Sequence, residues 1–380
     1  MLCVNLNASV LMVIAGLWAG EALGITKDTP NETKRPAREV CEPSVTTVNG
    51  KQVCHKELVF QDDFNTLDEA RWRRDIMIAS KPDFEFVMYD NSPANCFVKD
   101  GILHLKPTVP DNVQRFSQTG RVDLRKKGCT GESQEECQQS ASAFNILPPV
   151  LSARIKSTQS FSFKYGEIEI RAKLPDGNWL YPQIWLEPQE KFYGPFYSSG
   201  RMVIAMSRGN AQLLTSDGED IGSKLLLGGL ILSAEEPDRS LCLRKKTKSG
   251  ENDEGWNEDF HTYKFKWTPE GVVMSVDNEV YGAVNAVIGG FGLIFDTNQW
   301  DGGSNAMAPF DREFYITLGV GAGGIRDFPD NTTVGDHPKP WRNNGAKAKL
   351  DFLKDRKYWK DSWAWEEAAL QVDYVKVWAL

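Results

Sequence analysis

Several chemical features are scarce in this sequence of 380 residues, and each scarcity excludes a class of function. The chain has only four histidines and no C-x-x-C motif, so the side chains of a usual zinc site are missing. Positive charge is not in excess, because 44 lysines and arginines face 52 aspartates and glutamates, a net charge of −8. A negative net charge disfavours general binding to nucleic acid or to an anionic membrane, because their phosphates are also negative.

Long apolar runs are also missing, apart from one near the N-terminus. Residues 10–19 form a mostly apolar stretch, about half of the ~20 residues that a membrane-spanning helix needs. Small residues follow at Ala22 and Gly24, as at a signal-peptidase site, although no basic segment precedes the run. The alternative is a buried core helix. We predict a signal peptide over residues 1–24, a flexible polar linker over 25–40, and a secreted, extracellular chain without a membrane span.

An oxidising compartment would favour disulfides among the six cysteines that follow this segment. These are Cys41, Cys54, Cys96, Cys129, Cys137 and Cys242. Cys41 with Cys54 and Cys129 with Cys137 flank short, turn-rich stretches, so those loops would close easily. Cys96 with Cys242 is then left by elimination, although the sequence alone leaves other pairings open. Asn31 and Asn331 begin N-x-T sequons, which predict glycosylation in a secreted chain.

Short strands dominate the rest of the sequence, whereas helical signals are few. From Leu58 onward, runs in which apolar and polar residues alternate are bounded by Gly, Pro, Asn and Asp, as at 166–174 and 372–378. One short helix is expected at 363–370. Since strands do not alternate with helices, we predict an all-β fold, an antiparallel sandwich or barrel. No internal repeat divides the chain, which indicates one domain.

Several separated blocks of sequence carry a family resemblance in their order along the chain. They are CEPSVTTVNGKQVCHKELVFQDDFN from residue 41, YGEIEIRAKLPDGNWLYPQIWLEP from 165, FHTYKFKWTPEG from 260, APFDREFYITLGVGAGG from 308 and VDYVKVW from 372. On these blocks residues 41–380 resemble the laminarinase-like glycoside hydrolases of family 16, and among them the arthropod β-1,3-glucan recognition proteins, also called Gram-negative bacteria-binding proteins. The resemblance implies a jelly-roll (concanavalin-like) antiparallel β-sandwich with a concave, glucan-binding cleft. The separate N-terminal glucan-binding module common in that group is expected to be absent, because too few residues precede residue 41.

Active members of that family carry E-x-D-x-x-E on a strand beneath the cleft, followed in the arthropod group by S-R-G-N. Here residues 207–210 read SRGN, which places the three carboxylate positions on Arg201, Val203 and Met206. A retaining glycosidase needs two carboxyl groups ~5–5.5 Å apart, one as nucleophile and one as proton donor. Arginine, valine and methionine supply neither. We therefore predict that the chain is not an enzyme and has no catalytic residues.

The same resemblance indicates which side chains would line the cleft. It gives as carbohydrate-binding candidates Trp179, Trp185, Arg201, Met206 and His261. Arg201 would donate hydrogen bonds to a ligand if it faces the cleft; the alternative is that it pairs with a nearby acid and blocks the cleft. Glu187 and Glu169 are the carboxylates that could approach, but one stray carboxylate does not form a catalytic pair.

These observations together predict a secreted, non-catalytic pattern-recognition protein that binds β-1,3-glucan or a related microbial cell-wall polysaccharide. By resemblance it would act in innate immunity, with components of immune serine-protease cascades as partners. The alternatives are a residual endo-β-1,3-glucanase and a scaffold protein with a vestigial groove. No cofactor is expected. Asp373 matches an aspartate that holds a structural calcium in some family members, but calcium needs about 6–8 oxygen ligands and one carboxylate supplies few of them.

Overall fold

The computed structural model describes residues 41–250, 254–286, 288–364 and 366–380. The predicted signal peptide, the linker and the Asn31 sequon lie outside the described residues. Most of the described strands pair into two large antiparallel sheets, so the prediction of an all-β sandwich is confirmed. Within these ranges, no helix has both the length and the apolar character to cross a membrane.

The larger sheet has ten strands, which are numbered here in chain order. They are β1 (Pro43–Val48), β2 (Lys51–Cys54), β4 (Arg73–Arg74), β12 (Arg154–Lys156), β13 (Phe163–Lys164), β15 (Leu180–Pro188), β16 (Arg201–Met206), β17 (Leu225–Ile231), β18 (Leu243–Thr247) and β22 (Phe314–Ala322). The order across the sheet is β18-β17-β16-β15-β22-β13-β1-β2, and β12 joins β4 to β22.

The second sheet has eight strands and stacks on the first. They are β3 (Leu58–Asp62), β7 (Cys96–Lys99), β8 (Ile102–Leu105), β14 (Gly166–Lys173), β19 (His261–Thr268), β20 (Gly271–Val276), β21 (Glu279–Asn285) and β25 (Leu370–Trp378). The order is β21-β20-β19-β14-β25-β8-β7, and β3 also pairs with β25.

The remaining elements are shorter and lie outside the two large sheets. The remaining strands are β5 (Met77–Ile78), β6 (Val87–Tyr89), β9 (Arg121–Asp123), β10 (Gln138–Ser140), β11 (Val150–Ser152), β23 (Thr333–Val334) and β24 (His337–Pro338). The α-helices are α1 (Val113–Thr119), α2 (Gln134–Cys137), α3 (Ala348–Lys354) and α4 (Arg356–Trp359), and the 3₁₀ turns are Arg125–Lys127, Phe196–Ser199, Phe291–Leu293 and Lys360–Ser362. The helix expected at 363–370 is wrong: its described residues form turns and the start of β25. Trp363 donates its indole N–H to the Asn178 carbonyl at 2.9 Å, a tertiary contact that a local pattern does not contain.

The apolar core lies between the two large sheets. In β14 the inward residues Ile168, Ile170 and Ala172 are buried, and the residues between them are not, as the alternating sequence predicts. Trp267 of β19 joins the sheets, because its ring packs edge-on against Phe163 at 5.6 Å and Phe314 at 5.5 Å between centroids. Such aromatic pairs bury large areas and fix the spacing of the sheets.

The two local disulfides are confirmed. Cys41 pairs with Cys54 and Cys129 with Cys137. The proposed pairing of Cys96 with Cys242 is wrong, because Cys96 is a free, buried cysteine. Cys96 starts β7, at one edge of the eight-stranded sheet, whereas Cys242 precedes β18, which packs against the opposite edge at β21. The two residues therefore lie at opposite edges of the sandwich.

Candidate functional site

A β-bulge in β16 places Arg201, Val203 and Met206, the three positions singled out by the sequence register, on one face of the ten-stranded sheet. Opposite β17, Val203 pairs with Gly229 but Met206 pairs with Leu227, so β16 has one extra residue between them. Because alternate residues of a strand share a face, Arg201 and Val203 point the same way. The bulge then returns Met206 to that face.

A cavity of about 290 Å³ lies over this bulge, and we call it the apolar cavity. Trp185, Val203 and Met206 line it, and all three side chains are buried. Charged residues also line it, namely Arg208, Glu219, Glu236, Arg239, Lys245, Arg326 and Asp327. An apolar surface next to hydrogen-bonding groups suits a ligand that has both an apolar face and a polar edge.

Arg201 is held by acids beside this cavity. Its Nη1 donates to Asp83 Oδ2 at 2.7 Å, and its Nη2 donates to Glu187 Oε1 at 3.2 Å. The guanidinium carbon also lies 4.1 Å from the centroid of the Trp185 ring, a cation–π contact. Of the two arrangements that the sequence left open for Arg201, the structure has the one in which it pairs with acids.

The ion pairs of Arg201 continue into a longer series. Arg239 Nη2 lies 3.4 Å from Asp83 Oδ1 and 3.1 Å from Asp327 Oδ1. Glu187, Arg201, Asp83, Arg239 and Asp327 thus form an unbroken row of alternating charges, which we call the charged wall. The hydroxyl of Tyr197 accepts hydrogen bonds from Arg201 and Arg239 and donates one to Asp83.

A second cavity of about 150 Å³, the polar cavity, lies beside the charged wall. Asp83, Glu187 and Arg201 line the polar cavity, whereas Arg239 and Asp327 line the apolar cavity, and the two cavities share no lining residue. Further charged residues line the polar cavity, among them Asp75, Glu85, Arg154 and Lys156. The charged wall therefore separates the two spaces.

The carboxylates near the wall are mostly held ionised. Burial opposes ionisation of Glu187, but Lys156 and Arg201 hold its pKa well below the usual range. Burial likewise opposes ionisation of Asp83, and Arg201 and Arg239 lower its pKa. Glu85 behaves oppositely: burial, and secondarily repulsion from Asp83, raise its pKa despite Arg154. Glu187 thus remains a paired anion at neutral pH and is a poor proton donor.

Glu169 does not complete a pair with Glu187. It lies on β14 of the eight-stranded sheet, whereas Glu187 lies on β15 of the ten-stranded sheet. There its carboxylate accepts a hydrogen bond from the Tyr374 hydroxyl at 2.8 Å and lies 2.9 Å from Lys264 Nζ. Glu169 and Glu187 therefore lie in different sheets and have different hydrogen-bond and ion-pair partners.

Two of the predicted carbohydrate-binding residues do not line either cavity. Trp179 is only 2% exposed and packs edge-on against Phe328 and Trp341, with centroids 5.4 and 5.0 Å away. His261 begins β19 in the eight-stranded sheet, where its Nδ1 lies 2.6 Å from Asp277 Oδ2. Trp179 thus belongs to an aromatic cluster of the core, and His261 to the other sheet.

The surroundings of Asp373 do not fit a calcium site. Its carboxylate accepts a hydrogen bond from Arg171 Nη1 at 2.5 Å, so a guanidinium already neutralises it. Across the described ranges, no group of three or more His, Cys, Asp or Glu side chains is placed to hold a metal ion. The other sequence marker, Asn331, lies exposed in a turn, and its glycosylation stays a prediction.

Sequence reasoning missed most of the charged wall. Asp83, Arg239 and Asp327 come from three separate loops, at 79–86, 232–242 and 323–332. No local motif joins them, because their spacing along the chain has no relation to their contacts. Arg201 and Glu187 could have been connected from the sequence, because they lie on β16 and β15, two consecutive strands that pair with each other.

Comparison with known proteins gives a consistent assignment, although no protein-family model matches the chain. The β-1,3-glucan-binding protein of Tenebrio molitor is 39% identical over 369 residues, which cover 92% of this chain and 72% of that protein. Gram-negative bacteria-binding protein 1 of Drosophila melanogaster is 35% identical, covering 93% and 71%. The β-1,3-glucan-binding protein of Penaeus monodon is 35% identical, covering 85% and 90%.

Solved structures with a similar fold include glucan hydrolases. The laminarinase from Rhodothermus marinus has a TM-score of 0.53 at 21% identity, covering 86% of this chain and 98% of that one. The endo-β-1,3-glucanase from Pyrococcus furiosus has a TM-score of 0.54 at 18% identity, covering 87% and 96%. At such identities they show the fold alone, and they confirm the jelly-roll β-sandwich. On its sequence relatives, the chain belongs to the family of β-1,3-glucan-binding and Gram-negative bacteria-binding proteins.

Proposed function

We propose that this protein is a secreted recognition protein that binds β-1,3-glucan or a related microbial polysaccharide without cleaving it. The names of its relatives support the ligand class, since those of Tenebrio molitor and Penaeus monodon are β-1,3-glucan-binding proteins. Secretion rests on the predicted signal peptide. A role in innate immunity, with serine-protease cascade components downstream, belongs to the same proposal.

The observation that carries the proposal is the composition of the apolar cavity. A pyranose ring has apolar C–H faces and an edge of hydroxyl groups. Trp185, Val203 and Met206 offer an apolar surface to such a face, and the arginines and acids around them offer donors and acceptors to hydroxyls. The Trp185 Nε1–H is buried and has no hydrogen-bond partner among the described residues, so it is a donor that no group there uses.

Cleavage is disfavoured by the same geometry. The face of β16 below the cavity presents arginine, valine and methionine, none of which can act as nucleophile and proton donor for a glycosidic bond. Glu187, on the neighbouring strand, is bound by Arg201 and lies 3.6 Å from Lys156 Nζ. Bound cations stabilise its anionic form and so oppose proton donation.

Retention on insoluble β-1,3-glucan tests the binding site. We expect wild-type protein to be retained and Trp185→Ala to bind at least about tenfold more weakly, a loss of about 1.4 kcal/mol. Phe144→Ala is the matched control, because Phe144 is an aromatic residue that is 95% exposed and lines neither cavity. Thermal unfolding of each variant would show that it is folded. Equal retention of wild type and Trp185→Ala would mean that the apolar cavity is not the glucan site.

A further inference from the structure

We propose that the apolar cavity receives the end of a β-1,3-glucan chain and not an internal segment. This inference rests on the proposed function and adds which part of the polymer the protein binds. An internal segment must enter a site on one side and leave it on another, so it needs a groove that is open at both ends. A chain end needs only one opening.

The charged wall closes one side of the apolar cavity. Its consecutive members lie 3.2, 2.7, 3.4 and 3.1 Å apart, from Glu187 through Arg201, Asp83 and Arg239 to Asp327. Asp83, Arg201 and Arg239 are each about 5% exposed or less. Separating such pairs would leave buried charges uncompensated, which is strongly unfavourable. A sugar chain therefore does not pass through the wall from one cavity to the other.

The loops around the apolar cavity are also tied to one another. Arg208 Nε donates to the Asp327 carbonyl at 2.5 Å, which joins the loop after β16 to the loop after β22. Leu214, in the loop after β16, forms a backbone bridge with Thr333, the first residue of β23. Arg326 Nη1, on the loop after β22, lies 2.7 Å from Glu235 Oε2 on the loop after β17.

The outer edge of the sheet has a similar link. Lys245 of β18 lies 2.7 Å from Glu219, which belongs to the loop after β16. Both side chains line the apolar cavity, so their ion pair sits on its border. These links connect the loops that border the apolar cavity, and together with the charged wall they favour a pocket with one opening over a groove that runs across the sheet.

The polar cavity is a poor continuation of the binding path. It measures about 150 Å³, roughly half the volume of the apolar cavity. Asp75 pairs there with both Arg154 and Lys156, at 2.6 and 3.2 Å. The polar cavity is smaller and lacks the tryptophan surface of the apolar cavity, so further glucose units are not expected on that side of the wall.

The test compares the binding of wild-type protein to a linear glucan, which has chain ends, and to a cyclic glucan, which has none. Isothermal titration would compare a linear β-1,3-linked oligosaccharide with a cyclic β-1,3-linked glucan of similar size. We expect the linear compound to bind and the cyclic one to bind at least about tenfold more weakly, which is about 1.4 kcal/mol. Comparable affinity for both compounds would overturn end recognition and leave the proposed function standing. If no β-1,3-glucan binds in any form, both proposals fail.

Binding stoichiometry gives an independent readout that does not depend on ring conformation. With linear glucans of increasing length, we expect a constant number of protein molecules bound per glucan molecule, because each chain keeps the same number of ends. A number that rises in proportion to length would show internal binding and overturn the proposal.

A charge-balanced variant tests the role of the wall itself. Arg201→Ala combined with Glu187→Ala removes one charge of each sign and leaves Asp83 paired with Arg239. In a folded double variant the cyclic glucan should gain affinity and approach the linear one. A folded double variant that still excludes the cyclic compound would show that the wall does not close the pocket. Whether or not this variant folds, the wild-type comparison decides the end-recognition proposal.

Discussion

The guanidinium of Arg201 lies over the ring of Trp185, with its central carbon 4.1 Å from the ring centroid. The sequence register predicts that Arg201 occupies a position at which active hydrolases of the resembling family carry a glutamate. Arg201 thus places a cation against an aromatic face, and it also pairs with Asp83 and Glu187. Arg201 is therefore part of the structural support beside the apolar cavity.

Removing the arginine should destabilise the fold. Arg201→Met leaves Glu187 and Asp83 buried with fewer compensating cations, and we expect the free energy of unfolding to fall by about 3 kcal/mol. Arg171→Met is the matched control, because Arg171 and Asp373 form a more exposed pair whose loss should cost less than about 1 kcal/mol. Chemical denaturation of both variants measures the difference. Similar small losses in the two variants would contradict the assigned role of Arg201.

Stability should decline in acid. Charge partners overcome the effect of burial and lower the folded-state pKa values of Asp75, Asp83 and Glu187. An acid with a lowered pKa stabilises the fold above its unfolded pKa, about 4, and loses that contribution as the pH falls toward its folded value. Glu85, whose pKa is raised, opposes this trend only in part. Denaturation midpoints measured from pH 7 to pH 2 should fall below about pH 4; midpoints that rise with acidification would refute the prediction.

The thiol of Cys96 should be unreactive in the native protein. The side chain is 1% exposed, and burial raises its pKa to about 11, so little reactive thiolate forms near pH 8. We expect iodoacetamide to leave Cys96 unmodified until denaturant is added, as read by mass spectrometry of the peptide that contains it. Rapid alkylation under native conditions would show that this edge of the eight-stranded sheet opens readily.

The residue before β16 should tolerate no side chain. Gly200 has φ of +76°, and a Cβ added there would lie 2.4 Å from Phe310 Cε1. Gly218 is the control, since its φ is +86° but an added Cβ would meet nothing within 4 Å. Gly218→Ala should cost about 1 kcal/mol from backbone strain, and Gly200→Ala about 1–3 kcal/mol more from the clash. Equal losses in denaturation experiments would mean that Phe310 moves freely and does not fix the start of β16.

Local patterns in the sequence predicted the parts of the structure that depend on local geometry. The alternation of apolar and polar residues at 166–174 predicted a strand with one buried face, and β14 has that face. The pairs of cysteines that flank short turns formed the two local disulfides. Each of these features is set by residues close together in the chain.

Features that depend on contacts between residues far apart in the chain could not be predicted from local sequence patterns. Trp179 lies in a sequence block that resembles the family, and that block does not show whether the side chain faces the cleft or the core. In the structure Trp179 is buried in the core. Pairing Cys96 with Cys242 by elimination ignored which sheet edges the two residues occupy. The charged wall joins loops that are far apart in sequence, so only the folded chain shows that Arg201 meets Asp83 and that Arg239 continues the row.

The most direct test of the account is the release of reducing ends from laminarin by the purified protein, measured with glucan retention on the same sample. We predict retention of the glucan and no release above a protein-free control, because Arg201, Val203 and Met206 on β16 supply no carboxylate and Glu187 is paired with Arg201. Clear release of reducing ends that disappears in Glu187→Gln or Glu169→Gln would contradict the account, since it would show that one of these carboxylates acts in catalysis.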